Sequence, residues 1–138
     1  MQLKITTDYA IRTLLYLAQT GKVTSSAEVS EKMSIPRKYL INIAKSMRDA
    51  GLIDTHSGTY GGYTLAKPAE EITMLDVINA MEGTIRINRC LEDDEYCNRF
   101  ASADCPVRGF YLGLQQDIEA SLQKRTIGML AAGLKKHE

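Results

Sequence analysis

The run Ser25-Ser26-Ala27-Glu28-Val29-Ser30-Glu31-Lys32-Met33-Ser34-Ile35-Pro36-Arg37-Lys38-Tyr39-Leu40-Ile41-Asn42-Ile43-Ala44-Lys45-Ser46-Met47 decides the fold of this chain. It opens on Ser25-Ser26-Ala27-Glu28, a capping box in which the serine takes a first-turn amide and Glu28 reaches back to the cap residue's own amide. The helix so started is predicted to run through Met33. A brief turn at Ser34-Ile35 leads to Pro36, whose fixed φ and missing N–H suit the first turn of the next helix. That helix sets Tyr39, Leu40, Ile43 and Met47 on one side and Lys38, Ile41, Asn42, Lys45 and Ser46 on the other, and ends at Ala50-Gly51. Two short helices joined by a tight turn form a helix-turn-helix pattern. An amphipathic helix divided in this way suits an ordinary bundle equally well, so the pattern alone leaves DNA binding open.

The flanks narrow the choice. Upstream, Thr6 to Thr20 carries Ala10, Ile11, Leu14, Leu15, Leu17 and Ala18 near the helical period, with Thr6 or Thr7 as cap and Gly21 as stop. Downstream, Leu52-Ile53-Asp54-Thr55 reads as a strand, Ser57 to Gly62 as a turn, and Tyr63-Thr64-Leu65 as the returning strand. A glycine-rich hairpin after a helix-turn-helix is a wing. Its glycines allow close approach to a phosphate or minor groove, or simply the positive φ angles of a turn. The order helix, helix-turn-helix, hairpin is more specific than any one part.

Charge supports the same face. The chain is neutral overall, but residues 1–65 carry eight Lys/Arg against five Asp/Glu, and residues 66–138 carry nine against twelve. Arg37, Lys38, Lys45 and Arg48 fall in one stretch that contains no acid until Asp49. Phosphate contact depends on such patches rather than on totals. No apolar stretch approaches the roughly 20 residues of a membrane span, and the N-terminus has no signal-peptide pattern, so a cytoplasmic protein with reduced thiols is expected. No catalytic triad, P-loop or dinucleotide fingerprint occurs, and no enzymatic activity is expected.

Beyond the connector at Lys67-Pro68, Thr73-Met74-Leu75-Asp76 caps a helix that Gly83 ends. Residues 84–105 lose periodicity and hold all three cysteines. Pro106 then opens a long helix with Leu114, Ile118 and Leu122 at four-residue spacing, and Thr126 a last short one. A helix of this length has too little protein around it to bury its apolar side in a monomer, so pairing with a second copy is expected. Six residues separate Cys90 from Cys97 and seven separate Cys97 from Cys105. This is not the paired spacing of structural zinc. Three thiolates on one loop suit an iron–sulfur cluster lacking its fourth ligand, with reactive redox thiols and buried structural cysteines as alternatives. The acidic run Glu92 to Glu95 disfavours thiolates beside it, a repulsion that bound iron would offset.

Thr7-Asp8-Tyr9-Ala10-Ile11-Arg12, Tyr39-Leu40 and Ala50-Gly51-Leu52-Ile53 are followed by Gly61-Gly62-Tyr63-Thr64-Leu65-Ala66-Lys67-Pro68 and Glu71-Ile72-Thr73-Met74-Leu75-Asp76-Val77-Ile78. In this order and spacing they resemble the Rrf2 family of bacterial transcription regulators over nearly the whole chain. The resemblance implies a homodimer with a winged helix-turn-helix, a long dimerisation helix and, in the cluster-binding branch, a three-cysteine loop where Cys90, Cys97 and Cys105 fall. In some members a fourth ligand comes from the partner's first helix at the position of Asp8, although a first-turn carboxylate is also favoured by the helix dipole. Two departures stand out. Arg108 replaces a histidine found three residues after the last cysteine in one branch, and Ser57 replaces an arginine common before the wing glycines, with His56 beside it.

The expected fold is therefore mainly α with a small β-hairpin wing, residues 1–66 binding DNA and 67–138 forming the sensor loop and dimerisation helices. Expected DNA contacts are Arg37, Lys38, Tyr39, Asn42 and Lys45 on the helix, and His56, Ser57, Gly61 and Gly62 on the wing. The expected function is a repressor whose affinity for a palindromic operator in double-stranded DNA is set by a 2Fe-2S or 4Fe-4S cluster sensing redox state, nitric oxide or iron supply. The alternatives are control by thiol oxidation or a partner protein, and an iron–sulfur carrier or electron-transfer protein in which the helix-turn-helix is scaffold.

Overall fold

In the computed structural model, which describes residues 1–99 and 104–134, the chain forms six helices and a two-stranded hairpin. The helices are α1 (Ile5–Thr20), α2 (Ser26–Met33), α3 (Arg37–Asp49), α4 (Met74–Glu82), α5 (Pro106–Gln123) and α6 (Ile127–Ala132). The strands β1 (Ile53–His56) and β2 (Gly62–Leu65) pair antiparallel, Ile53 opposite Leu65 and His56 opposite Gly62. The expected class, mainly helical with a hairpin wing, is the one observed.

Local signals start and stop these helices, with instructive exceptions. Gly21 closes α1 in the left-handed region at φ 62°, a conformation that costs other residues a steric penalty. Neither Thr6 nor Thr7 caps its start, however. Lys4 is the N-cap without a side-chain bond, while Thr7 is buried and donates its hydroxyl to the Glu82 carboxylate at the end of α4. Ser25 accepts from the Glu28 amide at 3.1 Å as expected. The Glu28 carboxylate does not return to the cap. It accepts from the Tyr16 hydroxyl at 2.7 Å, and this bond, with burial second, pushes the phenol up to about 12. The reciprocal box appears instead at α4, where Thr73 and Asp76 exchange bonds of 3.0 and 3.1 Å.

One core holds the reader together. Ala10, Leu14 and Leu17 of α1 pack with Val29, Ile35, Leu40, Ile43, Ala44, Met47, Leu52 and Ile53, and also with Ile72, Val77 and Ile127. Tyr39, expected on the buried side of α3, is 40% exposed, and Ala44 takes its place inside. The last helix returns to this core across a short bridge: Met74 N donates to Arg125 O and Ile127 N to Ile72 O, both at 2.8 Å. Gly128 permits the approach, because a Cβ there would meet Glu70 at 3.0 Å. Between α4 and α5 lies a 3-10 turn, Arg89–Leu91. Among the described residues no helix is long and apolar enough to cross a membrane.

Candidate nucleic-acid interface and thiol pocket

The recognition surface follows from the way α3 is buried. Leu40, Ile43, Ala44 and Met47 anchor the helix, so Lys38, Ile41, Asn42, Lys45 and Ser46 are turned outward and exposed. Arg37 is exposed and donates to Ser26 Oγ at 3.0 Å, tying the start of α3 to that of α2. The Lys38 ammonium lies 5.4 Å from the centre of the Tyr39 ring, whose own neighbour is Tyr9 of α1 at 6.2 Å. Asn42 leaves its side chain outward, its carbonyl accepting from the Ser46 hydroxyl at 3.4 Å.

On the wing, His56 Nε2 is 2.9 Å from Thr64 Oγ1, so the ring is held across the two strands, while Ser57 is exposed at the turn. Gly61 and Gly62 answer to packing. A Cβ on Gly61 would stand 2.2 Å from His56 O, and one on Gly62 would stand 2.1 Å from Thr24 O. Thr24 pairs with Tyr63 through two backbone bonds of 3.0 and 2.9 Å, which lays the wing against the start of α2. Ser25, Ser26, Arg48 and His56 consequently line one cleft with the wing glycines. Arg48 and the Ser25–Ser26 helix start were not among the expected contacts. The acid-free basic stretch and the serine cap were the signals for them, and only the hairpin's docking shows that they share a cleft.

The cysteines converge as well. Cys90 is buried in the 3-10 turn, Cys97 and Cys105 are half-buried, and all three line one pocket of about 440 Å³ at the head of α5. None is in a disulfide. The acidic run is largely engaged by neighbouring side chains. Arg89 holds Asp94 through two bonds of 2.5 Å, and its guanidinium keeps that carboxyl below the usual range. Arg108 reaches Glu95 at 3.4 Å and the Cys90 carbonyl at 3.4 Å, and the Thr84 hydroxyl donates to Glu92 at 2.6 Å. Arg108, where one branch carries histidine, therefore fastens the loop to α5. Three thiols are the donor type that an iron–sulfur cluster takes. Yet among the described residues no three Cys, His, Asp or Glu side chains are gathered as they would be around a metal ion. Asp8, 2.8 Å from Arg12, is held within its own helix.

The expected dimer residues divide in two. Leu114 is 38% exposed, whereas Ile118 and Leu122 are half-buried and line an apolar groove with residues of the N-terminus and the α4–α5 connection. The most exposed apolar side chains of α5 are Val107 and Phe110, two turns and one turn before Leu114. They follow the same stripe, and the four-residue spacing read from Leu114 onward passed over them.

A basic recognition helix beside a hairpin wing, carried on a single helical core, is the architecture of a winged helix-turn-helix DNA-binding regulator. The chain belongs to the Rrf2 family, described as iron-dependent transcriptional regulators, whose sequence pattern matches residues 3–133. It is 33% identical over 108 residues to protein aau3 of Rhizobium meliloti, 78% of this chain and 66% of that protein, so it spans just under two thirds of the length of this relative. Among solved structures it is similar to CymR, the global cysteine regulator of B. subtilis, with a TM-score of 0.80 at 24% identity over 98% of this chain and 99% of that one. It is also similar to T. potens IscR, with a TM-score of 0.73 at 19% identity over 99% and 94% of the two chains. The members of this family are transcription regulators, and the carrier reading loses its support.

Proposed function

We propose that the protein is a homodimeric repressor of a palindromic operator, with α3 in the major groove, and that its affinity is set at the pocket of Cys90, Cys97 and Cys105. In this reading residues 1–66 form the reader, with α6 completing its core, and residues 67–125 supply sensor and dimer contacts. Lys38, Lys45 and Arg37 serve phosphates, Asn42 reads a base edge, and exposed Ile41 offers a contact to a thymine methyl. His56, Ser57, Gly61 and Gly62 follow the flanking backbone, with Arg48 in the same cleft.

The observation that carries the sensing half is the convergence of three cysteines on one pocket, with no disulfide among them. They would hold an iron–sulfur cluster, which when bound supplies sensitivity to redox state, nitric oxide and iron supply. Asp8 of the partner is the candidate fourth ligand. Its surroundings explain how such binding reaches DNA. Arg12, its ion-pair partner, donates to Met33 O at 3.2 Å, at the last residue of α2, and stacks 5.2 Å from the centre of Tyr9, the ring packed against Tyr39. Whatever draws Asp8 away alters the charge balance at the entry to the recognition helix. Couplings of this kind typically amount to about 1–3 kcal/mol.

A second reading is favoured by the thiols' not being gathered around a metal site among the described residues, and by the likeness to a cysteine regulator. In it the same pocket responds through thiol oxidation or a small sulfur compound. Anaerobic reconstitution with iron and sulfide separates the two. The cluster reading expects a chromophore that Cys97→Ala abolishes, with operator affinity changed several-fold. Colourless wild-type protein whose DNA binding responds to oxidant would establish the thiol reading instead.

A further inference from the structure

We infer that Glu82, the last residue of α4, is a positioning residue that carries a change at the cysteine turn to the start of α1 within one chain. The inference rests on the sensing reading above and gives it a route that needs no second copy. The start of α1 has no side-chain cap of its own, since Lys4, its N-cap, supplies none. Amides at a helix start need acceptors from elsewhere. Glu82 provides one: Lys4 N donates to its Oε2 at 3.1 Å, and the Thr7 hydroxyl donates to the same oxygen. The backbone bond resembles the return bond of a capping box, made here from another helix. Thr7 is fully buried, so water cannot take the place of the carboxylate without opening the packing.

Glu82 is also the first residue of a strap that reaches the cysteine turn. Gly83 leads the chain out of α4 at φ 82°. The next residue, Thr84, donates its hydroxyl to Glu92 at 2.6 Å, directly after the turn that holds Cys90. Arg86 and Ile87 then fasten the strap to α5, through Glu119 at 3.1 Å and Gln115 Oε1 at 2.8 Å. Residues 82–87 therefore join the first helix of the reader, the cysteine turn and the long helix by side-chain bonds. Two residues separate the bond to Glu92 from the bond to Thr7, so a displaced turn pulls directly on the cap of α1.

The anchoring on α5 has a second feature of a movable part. Gln115 is 1% exposed, and among the described residues its Nε2 has no hydrogen-bond partner. A buried amide donor left unpaired is rare and unfavourable. A shift of the strap that brings a carbonyl to Nε2 offsets the bonds it breaks. Motion at the start of α1 then reaches DNA through the reader itself. Arg12, on the same helix, donates to Met33 O at the last residue of α2, and Ala10 and Leu14 pack in the core with Leu40 and Ile43 of α3.

Amide exchange on the full chain, with its thiols free or capped by N-ethylmaleimide, tests the route. Circular dichroism verifies folding, and mass spectrometry verifies the adducts. In the wild type, capping should change exchange in a peptide spanning residues 3–9 several-fold. Thr7→Val keeps the buried shape but lacks the hydroxyl, and Thr84→Ala severs the link to Glu92 at an exposed position. Both should lose the response while still taking the adducts, and Thr7→Ser should restore it. Thr13→Val is the control, because Thr13 is equally buried in α1 but donates to Tyr9 O at 2.8 Å, within its own helix. It should respond as the wild type does. A wild-type peptide that capping leaves unmoved, or an equal response in Thr7→Val or Thr84→Ala, overturns the relay. Retention of DNA selected by the wild type from a random-sequence library separates this from the sensing reading. If the peptide responds as expected while DNA retention stays the same, the relay stands and the sensing reading falls.

Discussion

The reader and the cysteine segment are built on opposite principles. In the reader, fourteen buried residues from both ends of the chain close a single core, and each turn is fixed by a cap, a glycine or a backbone pair. Between Gly83 and Cys105, Cys90 is the one buried side chain among the described residues, and the segment is fastened to α5 by a few side-chain bonds, Ile87 N to Gln115 Oε1 and Arg108 to the Cys90 carbonyl, beside largely exposed ion pairs. A core-built surface keeps its shape whether or not anything is bound. A segment tied by exposed pairs is pinned weakly, because such pairs contribute little against water and salt. In the proposed function, the reader presents a fixed face to DNA, and the segment assigned to sensing is the one whose geometry a ligand or a second copy would change.

The sharpest way to break this contrast is at Ile127, which lies beyond the cysteine segment in sequence but is fully buried in the reader. Ile127→Ala should lower unfolding stability by about 2–5 kcal/mol, the range for truncating a large aliphatic side chain in a tight core. Denaturant melts read the loss. An effect under about 0.5 kcal/mol would mean that α6 is an accessory and that the reader ends near Leu65.

A smaller effect separates surface from scaffold within the reader. Lys38 and Lys45 are exposed, with the Lys38 ammonium beside the Tyr39 ring, so Lys38→Ala with Lys45→Ala should leave stability nearly unchanged. If both meet phosphates, the log–log salt slope of operator binding should fall by about 1.8, roughly 0.9 for each contact. Filter binding between 50 and 200 mM salt, about the range in which such slopes are read, would show it. An unaltered slope removes both lysines from the interface.

The sequence revealed the reader because its signals are local. Pro36 before a stripe of Leu40, Ile43 and Met47, and glycines at 21 and 83, act within a turn or two of themselves. Where a side chain answers to a distant partner, local reading failed. Thr7 looked like a cap and is a buried donor to Glu82, 75 positions away. Glu28 looked like half of a capping box and serves Tyr16. Tyr39 has the chemistry of a core residue, but its ring packs on Tyr9 at the surface. In the cysteine segment the thiols were legible by composition, while Arg108's role was not. Its partners, the Cys90 carbonyl and Glu95, lie 18 and 13 positions away, and no periodicity joins them.

The smallest expected effect tests the cysteine segment itself. Arg89 and Asp94 are both more than half exposed, so Arg89→Ala should leave the melting temperature of the protein unchanged within error. Locally it should matter, because the bidentate pair closes the turn that carries Cys90, and the Arg89 guanidinium also lies 5.6 Å from the centre of the Tyr96 ring. Amide exchange in a peptide spanning residues 88–97 should accelerate several-fold, while peptides of α1 and α3 keep wild-type rates. The pH dependence gives an independent check. Arg89 holds the Asp94 carboxyl below its ordinary range, chiefly through their hydrogen bonds. A carboxyl depressed in the folded state contributes its full share above the unfolded pKa and loses it as pH falls through the folded one. The ratio of variant to wild-type exchange should therefore be largest near neutrality and approach one as pH drops below the carboxylate range, since protonated Asp94 no longer makes the charged pair that the variant lacks. A ratio that stays constant into acid would assign the local order to packing around Tyr96, and a lowered melting temperature would make the segment part of the core after all.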